Sequence, residues 1–260
     1  MIRGLLSRLR AQREQRIVQR RAISDDLWRD TLASLPFVAR WSADDLAALR
    51  RLTSLFLDEK EFSGAGGLEV TDAMAVRIAV QACLPVLRLG LQPYRGFVGI
   101  VVHPDEVVAT REVVDDDGVV HNYDEVLSGE AMEGGPLMLS WTDVHQAGES
   151  ADWAYNVVIH EFAHVIDMGD GEADGVPPLA NMELRQRWRG VIEAEYEQFC
   201  AWTDAGRDTV LDPYGATEIG EFFAVAAEAF FVAPVDMRQE HPPLYAMFAD
   251  YFKQDPASQS

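Results

Sequence analysis

The feature that most constrains this chain is the run His160-Glu161-Phe162-Ala163-His164, which has the form HExxH. If the run is helical, His160 and His164 lie four residues apart on one face of the helix, a span that one zinc ion can bridge. Glu161 then lies one residue further round, where its carboxylate reaches a water on the metal without being a ligand. The motif therefore predicts a zinc site with Glu161 as the general base for hydrolysis.

Apolar residues surround the motif on both sides, which predicts a buried helix. They are Val157, Val158, Ile159, Phe162, Ala163, Val165 and Ile166. A buried imidazole or carboxylate is costly unless it has a partner. A core helix with merely hydrogen-bonded histidines is the alternative, and the completeness of the motif favours the metal site.

A hydrolytic zinc site uses three protein ligands, so the two histidines need a third. Glu221 begins the apolar stretch EFFAVAAE, where an unpaired carboxylate is costly, and it ranks first. Glu228 lies two turns further on the same face and either hydrogen-bonds a ligating imidazole or forms a simple salt bridge. Asp167 either orients a ligand or is the third ligand, and its short reach favours the orienting role. The remaining histidines are predicted to be exposed or helix-capping residues: His103, His121, His145 and His241.

Charge and cysteine content exclude several kinds of protein. The formal net charge is −21, and because residues 1–21 carry seven arginines and one glutamate, the rest of the chain carries −27. Because a protein region this acidic repels phosphate groups, no direct nucleic-acid binding is expected. Cys83 and Cys200 lie in apolar surroundings, which predicts free buried thiols in a reducing compartment. No stretch has the length of a signal peptide or a membrane span, so we expect a cytoplasmic protein without stable membrane association.

Changes of pattern divide the chain into four segments. Residues 1–22 form a basic arm, predicted to be a solvated helix rather than a membrane anchor. Residues 23–90 form a helical N-terminal part, residues 91–253 a catalytic domain, and residues 254–260 a flexible tail.

Cap residues and apolar periodicity mark the helices. Ser24, Ser42 and Thr71 favour the position before a helix, and helices are predicted that begin there and end near residues 35, 57 and 89. The glycine-rich stretch 63–67 lacks the spacing of a phosphate-binding loop and predicts a flexible linker. Beyond the HExxH helix, helices are predicted over residues 182–202, 218–231 and 243–252.

Short β-rich runs precede the HExxH helix. Strands are predicted over residues 97–102, 107–114, 119–123 and 136–141, with an Asp-Gly hairpin turn at 115–118. The chain is therefore predicted to have an α+β fold, with a small, mostly antiparallel sheet packed on the HExxH helix. Residues 170–175 resemble half of a calcium loop, but the pattern is incomplete and a rigid loop beside the active site is favoured.

Three further stretches accompany the motif, which itself lies in VIHEFAHVID at residues 158–167. They are GVPPL at 175–179, Tyr214, and EFFAV at 221–225. As a set they are similar to the Mlc titration factor A family of bacterial zinc peptidases, and the similarity covers nearly the whole chain. The resemblance implies one zinc ion per chain, with His160, His164 and Glu221 as its ligands and Glu161 as the catalytic base.

The family resemblance also implies a zincin-like fold similar to the catalytic domain of anthrax lethal factor. That domain has an aspartate three residues after its second histidine and a tyrosine seven residues before its ligand glutamate. Asp167 and Tyr214 occupy these positions here, and Tyr214 is expected to donate a hydrogen bond to the oxyanion. Val225 is a departure, because the lethal factor helix repeats a glutamate at that place.

The activity implied by the resemblance is that of an aminopeptidase acting on short peptides. By analogy with the related fold, the strand at 136–141 is expected to hold the peptide by edge pairing. A second implied role is binding of the glucose repressor Mlc, so the alternative is a regulator that titrates a transcription factor and has little peptidase activity. A purely structural zinc site is disfavoured because such sites are usually closed and rich in cysteine.

Overall fold

Helices account for most of the residues that the computed structural model describes, namely 2–114, 120–127, 129–131, 135–147 and 154–259. The helices are α1 (Ile2–Arg20), α2 (Asp25–Ala33), α3 (Pro36–Ala39), α4 (Ala43–Glu59), α5 (Asp72–Cys83), α6 (Trp141–Gln146), α7 (Val157–Asp167), α8 (Met182–Asp204), α9 (Ile219–Val232), α10 (Pro234–Glu240) and α11 (Pro242–Phe252). The strands are β1 (Glu61–Gly64), β2 (Gly99–His103), β3 (Val107–Val114), β4 (Val120–Leu127), β5 (Gly129–Ala131) and β6 (Leu137–Ser140). The α+β class predicted from the sequence is confirmed.

The predicted cap residues begin their helices. The side-chain oxygens of Ser24, Ser42 and Thr71 each accept a hydrogen bond from the backbone N–H three residues on, at the starts of α2, α4 and α5. Such a cap satisfies a backbone donor that has no partner within the helix. α5 ends at Cys83 instead of continuing to residue 89, and turns follow it.

Four strands form one sheet in the order β1-β2-β6-β5. β1 pairs with β2 and β2 with β6 in parallel, and only β5 and β6 are antiparallel. The prediction of a mostly antiparallel sheet is therefore wrong for this sheet. The reason is that β1 was missed and that helix α5 carries the chain across to β2, as a parallel connection requires.

The stretch predicted as a flexible linker supplies part of β1. Ser63 and Gly64 pair with Val101 and Val102 of β2. A Cβ on Gly64 would stand 1.8 Å from the carbonyl oxygen of Leu68, so this glycine permits a close backbone approach. The division of the chain near residue 90 stays a prediction, and β1 joins the helical part to the sheet.

β3 and β4 form a separate antiparallel hairpin, in register from Val107–Leu127 to Val114–Val120. Both strands were predicted, although β4 is longer than expected. The Asp-Gly turn predicted at 115–118 lies outside the described residues.

α7, which carries the HExxH motif, packs against α5, α9 and the strands β5 and β6. Phe162, inside the motif, is fully buried, and its ring lies 4.8 Å from that of Tyr94, 5.6 Å from Phe56 and 5.8 Å from Phe97. Burying a phenylalanine side chain contributes about 1.5–3 kcal/mol. Phe162 thus fixes the rotation of α7, so that the histidines face away from this aromatic cluster.

The basic N-terminal arm is helical, as predicted, and ion pairs hold it against α4. Arg20 contacts Asp58 at 2.8 Å, and Arg51 of α4 pairs with Glu14. None of the helices in the described parts of the chain has the length and apolarity needed to cross a membrane. Of the two cysteines, both free, Cys83 is buried as predicted but Cys200 is only half-buried.

The C-terminal residues differ from the flexible tail expected of them. Gln254 is buried, and its side-chain amide donates to the carbonyl oxygens of Leu84 at 3.0 Å and Pro85 at 3.1 Å. Pro256 and Ala257 are also buried. These contacts dock the end of the chain against the residues that follow α5.

Candidate metal centre

α7 and α9 bring His160, His164 and Glu221 together. His160 Nε2 lies 3.2 Å from His164 Nε2 and 2.9 Å from Glu221 Oε2, and His164 Nε2 lies 3.4 Å from Glu221 Oε2. The three side chains are only 12–14% exposed. Among the described residues, they form the group of histidine, cysteine and acidic side chains able to hold a metal ion, with ligand atoms within 4.8 Å of one another.

These three atoms fit a tetrahedral metal ion. Zinc bonds of about 2.0–2.1 Å to nitrogen and oxygen place neighbouring ligand atoms roughly 3.3 Å apart. The separation of 3.2 Å between the two imidazole nitrogens and that of 3.4 Å between His164 and Glu221 are close to this value. Two imidazole nitrogens and one carboxylate oxygen are also a donor set that zinc prefers.

Glu228, one of the residues singled out in the sequence, lies on the other side of the His160 ring. Its Oε1 is 2.8 Å from His160 Nδ1, and its Oε2 accepts a hydrogen bond from the backbone N–H of Asn156. A carboxylate at Nδ1 orients the ring and leaves Nε2 with a free lone pair for a metal. Asn156 also caps α7, since its side chain accepts from Ile159 N at 2.9 Å.

The charges of this cluster are strongly coupled. Burial lowers the pKa of His160, but hydrogen bonds with Glu221 and Glu228 outweigh burial and raise that pKa well above its ordinary value. Burial raises the pKa of Glu221, but hydrogen bonds with His160 and His164 outweigh it and lower the pKa to about 2. The carboxylates therefore favour positive charge at the point where the three ligand atoms meet.

Glu161 is 5% exposed and lies against strand β5. A Cβ at Gly129 would come within 2.5 Å of the Glu161 side chain, so any larger residue at that position would displace the carboxylate. Burial raises the pKa of Glu161 above its ordinary value. The need for a glycine at position 129 could not be read from the sequence, because nothing local indicates that the β5 backbone passes so close to α7.

Asp167 is fully buried and faces a loop rather than the group of ligand atoms. Its Oδ2 accepts a hydrogen bond from Gly175 N at 2.8 Å, and its Oδ1 has no hydrogen-bond partner among the described residues. Burial raises the pKa of this carboxyl to about 7. The structure thus brings Glu221, and not Asp167, into contact with the two histidines.

The loop between α7 and α8 is fixed by several contacts. Arg185 of α8 contacts Asp170 at 2.6 Å, and Arg189 of the same helix contacts Asp174 at 2.7 Å. Trp188 Nε1 donates to the carbonyl oxygen of Gly175 at 2.7 Å. The loop forms one wall of the metal site through Ala173.

Tyr214 lies in a short 3-10 turn just before α9. Its side chain is 49% exposed, and its ring centroid is 6.2 Å from that of His160. The structure therefore places the tyrosine beside the candidate ligands, at the solvent side of the site.

A cleft of about 500 Å³ opens over these residues. Gly129, Glu130 and Ala131 of β5 form one side, and Tyr214, Thr217 and Glu218 lie opposite. Glu130 is half-buried and Glu218 is exposed, so carboxylates stand at the rim as well as at the base of the cleft. Glu218 was not among the predicted site residues, although its position three residues before Glu221 places it at the start of α9.

The other histidines lie away from this site where the structure describes their side chains. His145 is exposed, as expected, and belongs to α6, and His103 ends β2. His241 occupies the cap position between α10 and α11, which agrees with the capping alternative, but its side chain is fully buried and makes no cap hydrogen bond. The side chain of His121 lies outside the described residues.

The sequence is similar to those of a family of peptidases and of several bacterial proteins. The family described as glucose-regulated metallo-peptidase M90 matches residues 9–253, a range that contains every residue of the site. An uncharacterized protein of Synechocystis is 38% identical over 232 residues, which cover 88% of this chain and 84% of the relative. Mlc titration factor A of Cronobacter sakazakii is 35% identical, with coverage of 88% and 86%, and that of Salmonella arizonae is 33% identical, with coverage of 90% and 93%.

Proposed function

The chain belongs to the M90 family of glucose-regulated metallo-peptidases, and on that premise we propose that it is a zinc-dependent aminopeptidase with a zincin-like catalytic core. The observation that carries the proposal is the convergence of His160 Nε2, His164 Nε2 and Glu221 Oε2 beside the buried carboxylate of Glu161. Three ligands and a neighbouring base are the parts of a hydrolytic rather than a structural site.

Each residue of the site has a chemical role in this proposal. His160, His164 and Glu221 would hold a zinc ion, which when bound would act as a Lewis acid on the peptide carbonyl and on the attacking water. Glu161 accepts a proton from the attacking water and later donates it to the leaving amine. Burial raises the pKa of Glu161 above its ordinary value, and a higher pKa makes the carboxylate a better proton acceptor.

Three further residues support the site or the reaction. Glu228 holds the ring of His160 through Nδ1, so that Nε2 faces Glu221 and His164. Tyr214 donates a hydrogen bond from its hydroxyl to the oxyanion that develops on the scissile carbonyl, a type of contact worth about 10²–10³-fold in kcat. Asp167 supports the end of α7 and the loop that follows it through Gly175.

The peptide lies along β5 in this proposal, and not along β6 as the sequence analysis expected. β6 pairs with both β2 and β5, so it has no free edge, whereas β5 is one of the two edge strands of the described sheet and lines the cleft. An extended peptide can add to such an edge through main-chain hydrogen bonds. The carboxylates of Glu130 and Glu218 at the rim favour a substrate with a free, positively charged N-terminus, which supports the aminopeptidase assignment.

A second function follows from the names of the relatives. Two of them are called Mlc titration factor A, and we propose that this protein also binds an Mlc-like transcriptional repressor in the cytoplasm. The alternative is that repressor binding is the main role and that peptide hydrolysis is slight. The enzymatic function requires a peptide substrate and the second function requires a protein partner. Neither requires contact with nucleic acid.

The variant Glu161→Gln tests the enzymatic proposal. The amide has nearly the same shape and leaves both imidazoles in place, but it cannot accept a proton at neutral pH. We expect a zinc content equal to that of the wild type and hydrolysis of fluorogenic aminoacyl substrates reduced by at least about 10²-fold. Glu197→Gln, on the exposed face of α8, is the matched control and retains full activity.

The same variant separates the two proposed functions. Affinity for a purified Mlc-like repressor should not change, because the surface of the protein is unaltered. Retained turnover by Glu161→Gln would exclude Glu161 as the base. Absence of hydrolysis by the wild type, together with tight repressor binding, would favour the alternative function.

A further inference from the structure

A second cavity, of about 820 Å³, opens beside the metal cleft and shares Ala131 and Met168 with it. Its volume lies in the range of pockets that enclose small ligands, about 300–1,000 Å³. Its walls are largely apolar and include Leu89, Phe97, Leu137, Val165, Ile166 and Pro178. We refer to this cavity as the Arg95 pocket, because Arg95 is the one charged residue among the described residues that line it.

The guanidinium of Arg95 is available to a ligand. Arg95 is exposed, and its side chain makes no hydrogen bond or ion pair with any described residue. Arginine is the side chain best suited to hold a carboxylate, since its planar fork donates two parallel hydrogen bonds. The formal charge of the chain is −21, yet within the described part of the chain no carboxylate pairs with this cation at the side of an apolar cavity.

The backbone that carries Arg95 is rigidly held. Lys60 is buried, and its Nζ donates to the carbonyl oxygens of both Tyr94 and Phe97, on either side of the arginine. The Tyr94 hydroxyl donates to the carbonyl oxygen of Ala82 at 2.8 Å. Arg95 therefore extends from a fixed turn, which reduces the entropy lost when its side chain binds a ligand.

The two adjoining cavities carry side chains of opposite charge. The metal cleft has Glu130 and Glu218 at its rim, whereas the Arg95 pocket has a single cation and apolar walls. A short peptide has the complementary distribution, with an ammonium group at one end and a carboxylate at the other. An apolar C-terminal side chain would remove apolar surface from water in this pocket.

We propose that the Arg95 pocket binds the C-terminal end of the substrate, with an apolar side chain against its walls and the free α-carboxylate on Arg95. This inference rests on the proposed function and narrows it to short peptides that end in an apolar residue. Longer chains, amidated peptides and internal segments of proteins lack a carboxylate at the required place and bind more weakly.

Calorimetric titration of the zinc-loaded Glu161→Gln protein tests the pocket without turnover. The probes are Ala-Ala-Leu, its C-terminal amide and Ala-Ala-Gly. We expect the acid to bind about 10–100-fold more tightly than the amide, the range for a hydrogen bond to a charged group. Ala-Ala-Leu should also bind more tightly than Ala-Ala-Gly, because only leucine fills the apolar part of the pocket.

Adding Arg95→Gln should abolish the preference for the acid and leave the binding of the amide unchanged. Arg187→Gln, an exposed arginine on α8, is the control and keeps the preference. In the active enzyme, Arg95→Gln should raise KM for the acid to the value for the amide with little change in kcat, as for loss of an interaction made equally in the ground and transition states.

Equal affinity for acid and amide, or a preference for the acid that persists in Arg95→Gln, would overturn the assignment of the pocket. Neither result would contradict the proposed peptidase activity. Failure of the wild type to hydrolyse any of the peptides would rule out the proposed peptidase activity. The binding preference of the Glu161→Gln protein would still decide the pocket.

Discussion

His160 and His241, one largely and one fully buried, have similar surroundings at one ring nitrogen and different surroundings at the other. Glu228 Oε1 of α9 lies 2.8 Å from His160 Nδ1, and Glu195 Oε2 of α8 lies 2.7 Å from His241 Nδ1. In both pairs a carboxylate orients the imidazole.

The two rings differ at Nε2. In His160 this atom faces Glu221 Oε2 at 2.9 Å and His164 Nε2 at 3.2 Å, at the base of an open cleft. In His241 it has no hydrogen-bond partner among the described residues; Glu240 Oε1 lies 3.7 Å away, and the ring is fully buried. The first histidine has converging ligand atoms, and the second does not.

The surroundings of His241 explain why it is structural in our interpretation. Its ring lies among Phe199, Trp202 and Phe222, with centroids 6.3, 5.4 and 6.4 Å away. A carboxylate at Nδ1 is thus no sign of a metal site by itself. What distinguishes the candidate site is the meeting of several donor atoms from different elements at one accessible point.

The largest expected difference between the two histidines is the effect of their substitution on zinc binding. We expect about one zinc per chain, and His160→Ala, His164→Ala or Glu221→Ala should lower zinc affinity by more than about 100-fold, because two remaining ligands hold the ion far less tightly. His241→Asn should keep its zinc and lower the melting temperature. Elemental analysis after dialysis and thermal unfolding measure the two outcomes, and zinc loss from His241→Asn would break the comparison.

The aromatic neighbours of the two histidines provide the next test. Tyr214→Phe removes only a hydroxyl beside His160 and should lower kcat by roughly 10²–10³-fold, with zinc content and KM nearly unchanged. Trp202→Phe, beside His241, should affect stability and not kcat. Steady-state kinetics on an aminoacyl substrate decide the point, and an unaltered kcat would make Tyr214 a packing residue.

Matched substitutions of the two glutamates should separate their roles. Glu228→Gln should weaken zinc binding about 10–100-fold, as for other residues that orient a metal ligand. Glu195→Gln should leave zinc affinity unchanged, while both variants lose about 1–3 kcal/mol of stability through a weakened buried hydrogen bond. Competition with a chelator measures the affinity. Equal losses in the two variants would mean that Glu228 acts only through stability.

The smallest effect concerns pH. Hydrogen bonds with Glu221 and Glu228 raise the pKa of His160 and so favour its protonated form in the apoprotein, and zinc competes with that proton. Zinc affinity should therefore fall as pH falls, by about tenfold per pH unit for each proton displaced. Glu228→Gln should flatten this dependence, because it removes a hydrogen bond that raises the pKa, whereas Glu195→Gln should not. Chelator competition at several pH values gives the slopes.

Local patterns in the sequence were sufficient for much of the fold. Ser24, Ser42 and Thr71 begin the helices as predicted, because a cap is decided by residues three positions apart. The same holds for His160 and His164, whose spacing on α7 is set by helix geometry alone. Strands β2, β3, β4 and β6 were also predicted, since they carry the residues that favour extended chain.

The direction of strand pairing was decided only by the tertiary structure. β1 (Glu-Phe-Ser-Gly) contains no β-branched residue, and its place in the sheet depends on pairing with β2, which follows helix α5 in the chain. The edge strand at the cleft is β5, which has three residues and is too short to be recognised from apolar periodicity. These two strands account for the errors in the predicted sheet and in the expected site of peptide pairing.

The sequence by itself determined which residues could bind a metal and which helix faces would be buried. The tertiary structure decided which donors meet: Glu221 is 61 residues from His160 and Glu228 is 68, whereas Glu195 is 46 from His241. It also brought Arg95 to the side of a cavity next to the cleft. The physical reason is that periodicity and capping depend on neighbours within one or two turns, while converging side chains depend on how whole helices pack.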